Sequence, residues 1–446
     1  MLKLFLWLKY LRRRRIVFLS IAAVALSVSL LIVVASLFTG FINAFERSAV
    51  EMLGDVVISP PPRTVFEKYP LFVERLEKTD FIEAAAGTLA SEGLLHVGRG
   101  NVRPVGIWGI EPDRRARVNG FKDALLRQRE LPGEPSFEVP GKPEKTGGFV
   151  GIGVVAEADR DTDEYDQDAV LKEMIGHRVS ITTGTIDVSG PDQSPKRRLI
   201  PFYVADVAFS GVHDIDSGFV YVPIELVQKA LYPRKEAPAT SINAKLKPGV
   251  DPELALAQIR GLWRVFATEE LGWSRNKVLL TGVDTAQQLQ HRSIMEFRKQ
   301  MQVLLLIFGV VSFSVVVLVF CIFYMIVRLK QRDIAIIKSC GAASLSVVWI
   351  FLGFGVTVGV LGAGIGAALG YAITKNINAI ENAIRVVFGL KLWSSSVYMF
   401  TKIPNEVDWA SSLPIVGLAI GAAAVGALTP AIVAALTKPV EVLRYD

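Results

Sequence analysis

The chain has 446 residues, of which 51% are hydrophobic and 21% charged, and its formal net charge is +6. This composition indicates a membrane protein that also has a sizeable soluble part. Much of the positive charge lies beside apolar runs, which indicates membrane topology and argues against a nucleic-acid-binding surface.

The N-terminal segment 1–15 mixes bases with Leu, Phe, Trp and Tyr and contains no acid. We predict an interfacial helix on the inner leaflet, because a frayed tail would leave many large apolar side chains in water. The uncharged run 16–43 that follows is the first predicted transmembrane helix. It is longer than the ~7–15-residue apolar region of a cleavable signal peptide, so we expect an uncleaved anchor.

Residues 44–299 form the predicted soluble domain, outside the cytoplasm, and mix strand and helix patterns. Runs such as "GDVVISP" and "HRVSITTG" are typical of strands. The run "DPELALAQI" opens with Asp251 as a helix N-cap and Pro252 at the first helical position. The sequence therefore predicts an α+β domain between the first and second transmembrane helices.

An acidic run in this domain places Asp159, Asp161 and Asp163 at alternate positions, as at the start of a calcium loop. An EF-hand loop also needs Gly at its sixth position and Glu at its twelfth. Here those positions hold Glu164 and Val170. We therefore interpret the run as a solvated acidic loop and expect no metal site.

Three further uncharged runs predict transmembrane helices at 300–327, 347–374 and 409–437, which makes four in all. They are separated and followed by a polar segment at 328–346, a loop at 375–408 and a tail at 438–446. Basic residues lie before the first span, in the polar segment and after the fourth span, which predicts that both termini are cytoplasmic.

The sequence carries none of the motifs HExxH, GxSxG or GxxxxGK(S/T). It therefore supports neither a zinc protease, nor an α/β-hydrolase site, nor ATP binding by a P-loop. We expect no enzyme activity. The predicted spans are almost free of ionisable groups, which disfavours an ion-coupled transporter. If the chain is part of a transporter, the transported molecule is then apolar, or the energy for transport comes from a source other than an ion gradient.

Two apolar patterns in the spans predict packing surfaces. Glycines at close spacing in the third span let helices approach each other; they are Gly355, Gly359, Gly362, Gly366 and Gly370. Bulkier residues at the outer ends of the first two spans are candidates to line a lipid or acyl cavity; they are Phe38, Phe41, Phe45, Met301, Leu304, Leu305 and Phe308. Ordinary lipid-facing positions explain the second set equally well.

Four passages resemble the type VII ABC permeases, the superfamily of the macrolide-exporter and cell-division permeases, and within it the lipoprotein-releasing permeases of the LolC/LolE type. They are "VGIWGIEP" at 105–112, "IGHRVSIT" at 175–182, "RDIAIIKSCGAASLSVVWIF" at 332–351 and "TKPVEVLRYD" at 437–446. The resemblance extends over nearly the whole chain. The last two passages identify the superfamily better than they identify the substrate.

The resemblance implies a multi-pass permease subunit of the bacterial inner membrane. A separate cytoplasmic ABC ATPase dimer would bind ATP and magnesium, and this chain would bind no cofactor of its own. The implied partners are that ATPase, a second permease chain that is identical or homologous, a periplasmic lipoprotein carrier, the lipoprotein substrate and membrane lipid. The chain would lift lipoproteins from the membrane by mechanical transmission and pass them to the carrier.

The resemblance also implies that the polar segment 328–346 contacts the ATPase. We expect Ile334, Ile337 and Gly341 to lie along one side of a short helix that is buried against the ATPase. The candidate coupling residues are Arg332, Asp333, Ile334, Ile336, Ile337, Lys338 and Gly341. The alternative is a plain turn at the membrane surface.

Two other functions within the superfamily remain open from the sequence. One is a split efflux permease similar to the macrolide exporters. The other is a transmembrane activator of a cell-wall hydrolase, as in the cell-division permeases. The large soluble domain favours a permease that handles cargo.

Overall fold

The computed structural model describes residues 15–62, 64–98, 100–186, 195–329, 331–341 and 343–436. Except for Arg15, the predicted interfacial helix at 1–15 lies outside the described residues, as does the tail at 438–446. The chain divides into two compact units. The membrane unit comprises the described residues of Met1–Ala44, Ile294–Leu390 and Ile403–Asp446, and the soluble unit comprises Phe45–Ser293 and Lys391–Lys402.

The helices and strands are numbered along the chain. The α-helices are α1 (Arg15–Leu53), α2 (Tyr69–Glu77), α3 (Pro112–Val118), α4 (Ile152–Val155), α5 (Gln167–Met174), α6 (His213–Asp216), α7 (Ile224–Leu231), α8 (Pro252–Glu269), α9 (Arg275–Leu279), α10 (Ala286–Leu329), α11 (Gln331–Ser339), α12 (Ser344–Lys375), α13 (Ile377–Phe388), α14 (Ser395–Tyr398) and α15 (Trp409–Leu436). The strands are β1 (Val56–Ser59), β2 (Ile82–Gly98), β3 (Asn101–Ile110), β4 (Gly147–Gly151), β5 (Arg178–Ile186), β6 (Pro195–Ala208), β7 (Phe219–Pro223), β8 (Ser241–Leu246) and β9 (Gly282–Thr285).

In the part of the chain that the structure describes, four helices are long and apolar enough to cross a membrane, namely α1, α10, α12 and α15. This confirms the four predicted transmembrane helices. Helix α1 continues past the predicted end of its span at 43 to Leu53, and α10 begins at Ala286, before the predicted start at 300. Both helices therefore extend beyond the length that a bilayer requires.

The soluble unit is α+β, as the sequence predicts. Among its described residues, nine strands pair in the order β3-β7-β4-β6-β5-β2-β8-β1-β9, and β2 pairs with β3 as well. Strands β3, β7, β4, β6, β5 and β2 therefore form a closed circuit. The long strand β2 belongs to both parts of the sheet, because Ile82–Thr88 pairs with β8 and Leu89–Gly98 pairs with β3. Closure of the circuit leaves few free strand edges in this part of the domain.

Helices α2 and α8 cover the part of the sheet that contains β8 and β1 with a buried aromatic cluster. Trp263 of α8 is only 2% exposed, and its ring lies 4.9 Å from that of Phe66 and 5.2 Å from that of Phe72. Helix α8 begins as predicted, with the Asp251 carboxylate accepting a hydrogen bond from the Glu253 backbone N–H at 2.9 Å. The buried aromatic side chains supply much of the hydrophobic stabilisation of this layer.

Candidate functional site

The polar segment between the second and third spans folds into the short helix α11. The helix ends before Gly341, whose φ of 93° lies in the left-handed region that favours glycine. The Gly341 backbone N–H donates to the carbonyl oxygen of Lys338 at 3.0 Å, which satisfies one of the last helical carbonyl groups. Gly341 is therefore the stop residue between α11 and α12.

The two sides of α11 have different surroundings. Ile334 is 4% exposed and packs in a cluster with Val327, Val347 and Ala434 of the membrane unit. Ile336 is 49% exposed. The expectation that the side carrying Ile334 is buried against a partner is therefore wrong, because the chain's own core occupies that side. Ile336 lies on the side of α11 that a partner can reach.

The other candidate coupling residues are placed as follows. The Nζ of Lys338 donates to the backbone carbonyl oxygen of Ala435 at 2.7 Å, near the end of α15. Arg332 is exposed. The side chains of Asp333 and Ile337 lie outside the described part of the chain. Helix α11 is thus fixed to the fourth span and presents an arginine and an isoleucine at its surface.

The candidate acyl-cavity residues lie on two helices. On α10, Met301, Leu304, Leu305 and Phe308 are half-buried and recur at helical spacing, so they share one face. On α1, Phe38 and Phe41 are half-buried and Phe45 is buried. Only 6% of the apolar window of α10 is buried inside the chain, compared with 44% for α1. Helix α10 is therefore the least buried of the four membrane helices, and its most exposed side chains, such as Leu306 at 69%, lie beside the half-buried face.

The predicted glycines of the third span contact two different helices. A Cβ added at Gly366 would lie 2.6 Å from the carbonyl oxygen of Ala25 in α1, and one at Gly355 would lie 2.4 Å from the Cβ of Ala427 in α15. Gly362 and Gly370 also face α1, and Gly359 faces α15. Glycine allows the backbones to approach this closely. Helix α12 is therefore packed between α1 and α15 along two separate glycine surfaces.

The C-terminal end of α1 is held by three side chains of the soluble unit. The guanidinium of Arg115 and the amide nitrogen of Asn119 both donate to the carbonyl oxygen of Met52, the latter at 2.7 Å. The amide nitrogen of Asn243 donates to the carbonyl oxygen of Leu53 at 2.8 Å. Carbonyl groups at a helix end have no partner within the helix, and a positive charge is favourable there. These side chains therefore join α1 firmly to the sheet.

Arg115 is 1% exposed. Its Nη1 donates to the hydroxyl of Thr88 at 2.8 Å, and its guanidinium carbon lies 4.9 Å from the centre of the Trp108 ring. Burial lowers the pKa of Arg115 to about 10, so the side chain stays charged at neutral pH. The sequence reasoning missed this residue. The one available signal is its spacing from buried Val118, which places both on the same face of α3.

The strands that are attached to the long helices α1 and α10 are neighbours in the sheet. Strand β1 follows α1, strand β9 precedes α10, and the two strands pair antiparallel from Val56 opposite Thr285 to Ser59 opposite Gly282. Thr285 is also the N-cap of α10. The Gln288 backbone N–H donates to the Thr285 hydroxyl at 3.0 Å, and the Thr285 backbone N–H donates to the Gln288 side chain at 3.1 Å. The end of α1 and the start of α10 are thus attached to neighbouring strands of one sheet.

The acidic loop is folded by its own hydrogen bonds. One carboxylate oxygen of Asp159 accepts from the backbone N–H of Asp161 at 3.0 Å, from the N–H of Thr162 at 2.8 Å and from the Thr162 hydroxyl at 3.0 Å. In the described ranges, no group of three or more His, Cys, Asp and Glu residues is arranged to hold a metal ion. The Asp159 carboxylate therefore serves the local fold of the loop.

A buried carboxylate organises the turn at 210–212. Asp216, which is 2% exposed, accepts hydrogen bonds from the Ser210 backbone N–H at 2.6 Å, from the Ser210 hydroxyl at 2.8 Å and from the Gly211 N–H at 2.9 Å. Burial raises the pKa of Asp216 to about 6, although the three hydrogen bonds act in the opposite direction. At neutral pH the carboxylate is mostly ionised and holds the turn in place.

Two family models match successive parts of the chain. Residues 17–262 match the MacB-like periplasmic core domain, and residues 305–439 match the FtsX-like permease C-terminal domain. The first match covers more than half of the chain and ends within the soluble unit, whereas the second covers the last three transmembrane helices.

The chain is also similar to individual proteins. The chain is 26% identical to the Lipoprotein-releasing system transmembrane protein LolC of Neisseria meningitidis serogroup B, over 100% of this chain and 99% of that protein. It is 32% identical to LolE of Haemophilus influenzae over 34% of this chain and 36% of that protein. The periplasmic region of MacB from Actinobacillus actinomycetemcomitans aligns with a TM-score of 0.33 and 14% identity, over 55% of this chain and 94% of that structure. With a MacB-like periplasmic domain and an FtsX-like C-terminal region, the chain belongs to the type VII ABC permeases, and within them to the LolC/LolE type.

Proposed function

We propose that this chain is the permease subunit of a transporter that extracts lipoproteins from the inner membrane and hands them to a periplasmic carrier. The names of its LolC and LolE relatives describe transmembrane proteins of lipoprotein-releasing systems. The similarity to LolC over the full length supports the transfer of that function to this chain. The carrier and the lipoprotein are proposed partners.

The observation that carries the mechanism is the continuity of α1 and α10 into adjacent strands of one sheet. Helix α1 leads into β1 and β9 leads into α10, and β1 pairs with β9. Arg115, Asn119 and Asn243 hold the end of α1. Work delivered to the membrane helices would therefore reach the soluble unit without a flexible linker.

The work comes from a separate cytoplasmic ABC ATPase dimer, which binds ATP and magnesium. We assign α11 as the element that contacts this ATPase, with Ile336 and Arg332 at its accessible surface. The bond from Lys338 to Ala435 would pass a displacement of α11 to α15. In this orientation α11 and both termini lie in the cytoplasm, in agreement with the bases that flank the spans.

The apolar face of α10 would contact the acyl chains of the lipoprotein or a second permease chain, identical or homologous. Helix α10 is the least buried of the four membrane helices, and the half-buried Met301, Leu304, Leu305 and Phe308 supply bulky apolar side chains without a charge. An acyl chain needs such a surface because a polar group at membrane depth costs free energy. Phe38 and Phe41 of α1 would extend the same apolar environment.

Reconstitution tests this function. The chain is purified with its ATPase and second permease chain, placed in proteoliposomes that contain a fluorescently labelled lipoprotein, and incubated with carrier protein. We expect transfer of the lipoprotein to the carrier with ATP and none with a non-hydrolysable analogue. ATP hydrolysis without transfer of any lipoprotein contradicts the proposal. Extrusion of small hydrophobic compounds, or stable association with a cell-wall hydrolase, would identify one of the other functions of the superfamily.

A further inference from the structure

A segment of the last extracytoplasmic loop is part of the soluble unit. The strap, defined as Lys391–Lys402, is assigned to the soluble unit although the helices before and after it, α13 and α15, belong to the membrane unit. The sequence gives no sign of this, because the strap lies more than 90 residues after the soluble domain in the chain. Specific contacts must therefore hold the strap in place.

The first contact is made by the acidic loop. One carboxylate oxygen of Asp163 accepts from the Nζ of Lys391 at 2.6 Å, and the other accepts from the backbone N–H of Ser395 at 2.8 Å. Lys391 also donates to the carbonyl oxygen of Arg160 at 2.8 Å. The Asp163 side chain is 16% exposed and that of Lys391 is 26% exposed, so this ion pair is better shielded from solvent than a typical surface pair.

The conformation of Asp163 is suited to this contact. Its φ is 55°, in the left-handed region that Asp and Asn tolerate better than most other residues. Burial alone would raise the pKa of Asp163, but the hydrogen bonds from Lys391 and Ser395 lower the pKa overall. The hydrogen bonds around Asp159 stabilise the preceding turn of the loop. The loop thus holds an ionised carboxylate in a fixed position.

The second contact lies at the other end of the strap. The backbone N–H of His213 donates to the carbonyl oxygen of Met399 at 2.6 Å, and Val212 and Phe400 form an antiparallel bridge. The residues just before His213 are those that the Asp216 carboxylate organises. The strap is therefore held at both ends, once by an ion pair and once by backbone pairing.

The strap also has internal structure between its two contacts. The ring of Trp393 stacks on that of Tyr398 with centroids 4.1 Å apart, and its indole N–H donates to the carbonyl oxygen of Phe400 at 2.9 Å. A strap folded in this way transmits a displacement from one end to the other better than an extended loop.

We propose that Asp163 is a positioning residue for transport. Its contacts with Lys391 and Ser395, called the latch below, hold the strap to the rest of the soluble unit. Through the strap, the latch joins the third and fourth membrane helices to that unit, as a second mechanical connection beside α1 and α10. This proposal rests on the proposed function. It assigns a role to the acidic loop, which the family resemblance leaves unexplained.

Hydrogen exchange in the full-length protein tests the latch itself. Asp163→Asn removes the charge but keeps a side chain that tolerates the left-handed conformation. Glu164→Gln is the matched control, because Glu164 is exposed and adjacent in the same loop. We expect the Ser395 amide to exchange about tenfold faster in Asp163→Asn, since a charge-assisted hydrogen bond is lost, and to be unchanged in Glu164→Gln. Equal exchange in wild type and Asp163→Asn overturns the latch.

The number of lipoproteins released per ATP in reconstituted transporter tests the role in transport. We expect Asp163→Asn to lower this ratio severalfold while ATP hydrolysis continues, and Glu164→Gln to leave it unchanged.

Two results of the transport assay would contradict different claims, one about Asp163 and one about the proposed function. If Asp163→Asn releases as many lipoproteins per ATP as wild type, the role in transport is overturned. If wild type itself releases none, the proposed function fails, and with it this role in transport. The exchange measurement then still decides whether Asp163 holds the strap.

Discussion

The Nζ of Lys338 donates a hydrogen bond to the backbone carbonyl oxygen of Ala435 at 2.7 Å, which joins α11 to the last turn of α15. A cation at this position also interacts favourably with a helix C-terminus. We expect Lys338→Met to destabilise the membrane unit by about 1–2 kcal/mol, because the aliphatic stem is kept and the hydrogen bond is lost. Lys338→Arg, which retains donors, should lose less. Thermal unfolding in detergent measures both, and equal stability of wild type and Lys338→Met would show that the bond contributes nothing.

Ile336 is the second residue on α11 that a substitution can test. Its side chain is 49% exposed, so Ile336→Asp should leave the fold of the chain intact and remove the apolar contact that we propose to the ATPase. We expect co-purification of the ATPase to fall at least about tenfold, as for a residue at the centre of an interface. Ile336→Val is the conservative control. Gly341→Leu is a poor test because the φ of 93° would itself strain the variant. Undiminished ATPase binding by Ile336→Asp would exclude this side of α11 as the contact.

Arg115 should be among the most sensitive residues of the soluble unit. Arg115→Met leaves the Met52 carbonyl oxygen with only Asn119 as a donor and removes the donor to Thr88. We expect a loss of about 2–4 kcal/mol in the free energy of unfolding, because a buried network loses the charged donor that joins Met52 and Thr88. Chemical denaturation in detergent measures this loss. Arg117→Met, in the same helix at an exposed position, is the control and should cost little. A similar loss in both variants would contradict the special role of Arg115.

The stability of the soluble unit should depend on pH through Asp216. Its pKa in the folded protein is about 6, above the ordinary value of 3.8, so the folded state binds the proton more tightly than the unfolded state. The ionised carboxylate therefore reduces stability at neutral pH, and this penalty is relieved as the pH falls from about 7 to 4. We expect the free energy of unfolding of wild type, measured relative to Asp216→Asn, to rise by about 2 kcal/mol over this range. A difference independent of pH would show that Asp216 titrates normally.

The two glycine surfaces of α12 offer a matched pair of substitutions. A Cβ at Gly366 would lie 2.6 Å from the Ala25 carbonyl oxygen, whereas a Cβ at Gly364 would meet nothing within 4 Å. We expect Gly366→Ala to destabilise the membrane unit by about 1–3 kcal/mol, because the α1 backbone must move. Gly364→Ala should be neutral or stabilising by up to about 1 kcal/mol, because alanine favours the helix. Thermal unfolding in detergent compares the two, and equal effects would contradict the tight contact at Gly366.

The sequence predicts those parts of the structure that depend on local patterns. The four spans follow from long uncharged runs, and the start of α8 follows from Asp251 and Pro252. The closed circuit of strands is not predicted, because β2 selects partners far apart in the chain. The burial of Ile334 inside the membrane unit likewise depends on residues of α10, α12 and α15.

The residues that sequence reasoning missed are those whose partners are distant in the chain. Nothing near Arg115 identifies the end of α1 as its partner, and nothing near Asp163 identifies Lys391. The acidic run does stand out by composition, but its charges alone predict a solvated loop. Tertiary contacts convert one of those charges into an ion pair, and no local pattern distinguishes Asp163 from its acidic neighbours.

Because the strap belongs to the soluble unit, a fragment of the protein that omits it differs from the native unit. A soluble domain excised between Phe45 and Ser293 would lack the strap. It would leave the Asp163 carboxylate without Lys391 and expose the edge at Val212 that pairs with Phe400. Partner-binding measurements on such a fragment would report on a surface that the intact protein covers. A fragment that carries Lys391–Lys402 through a designed linker would restore the native surface.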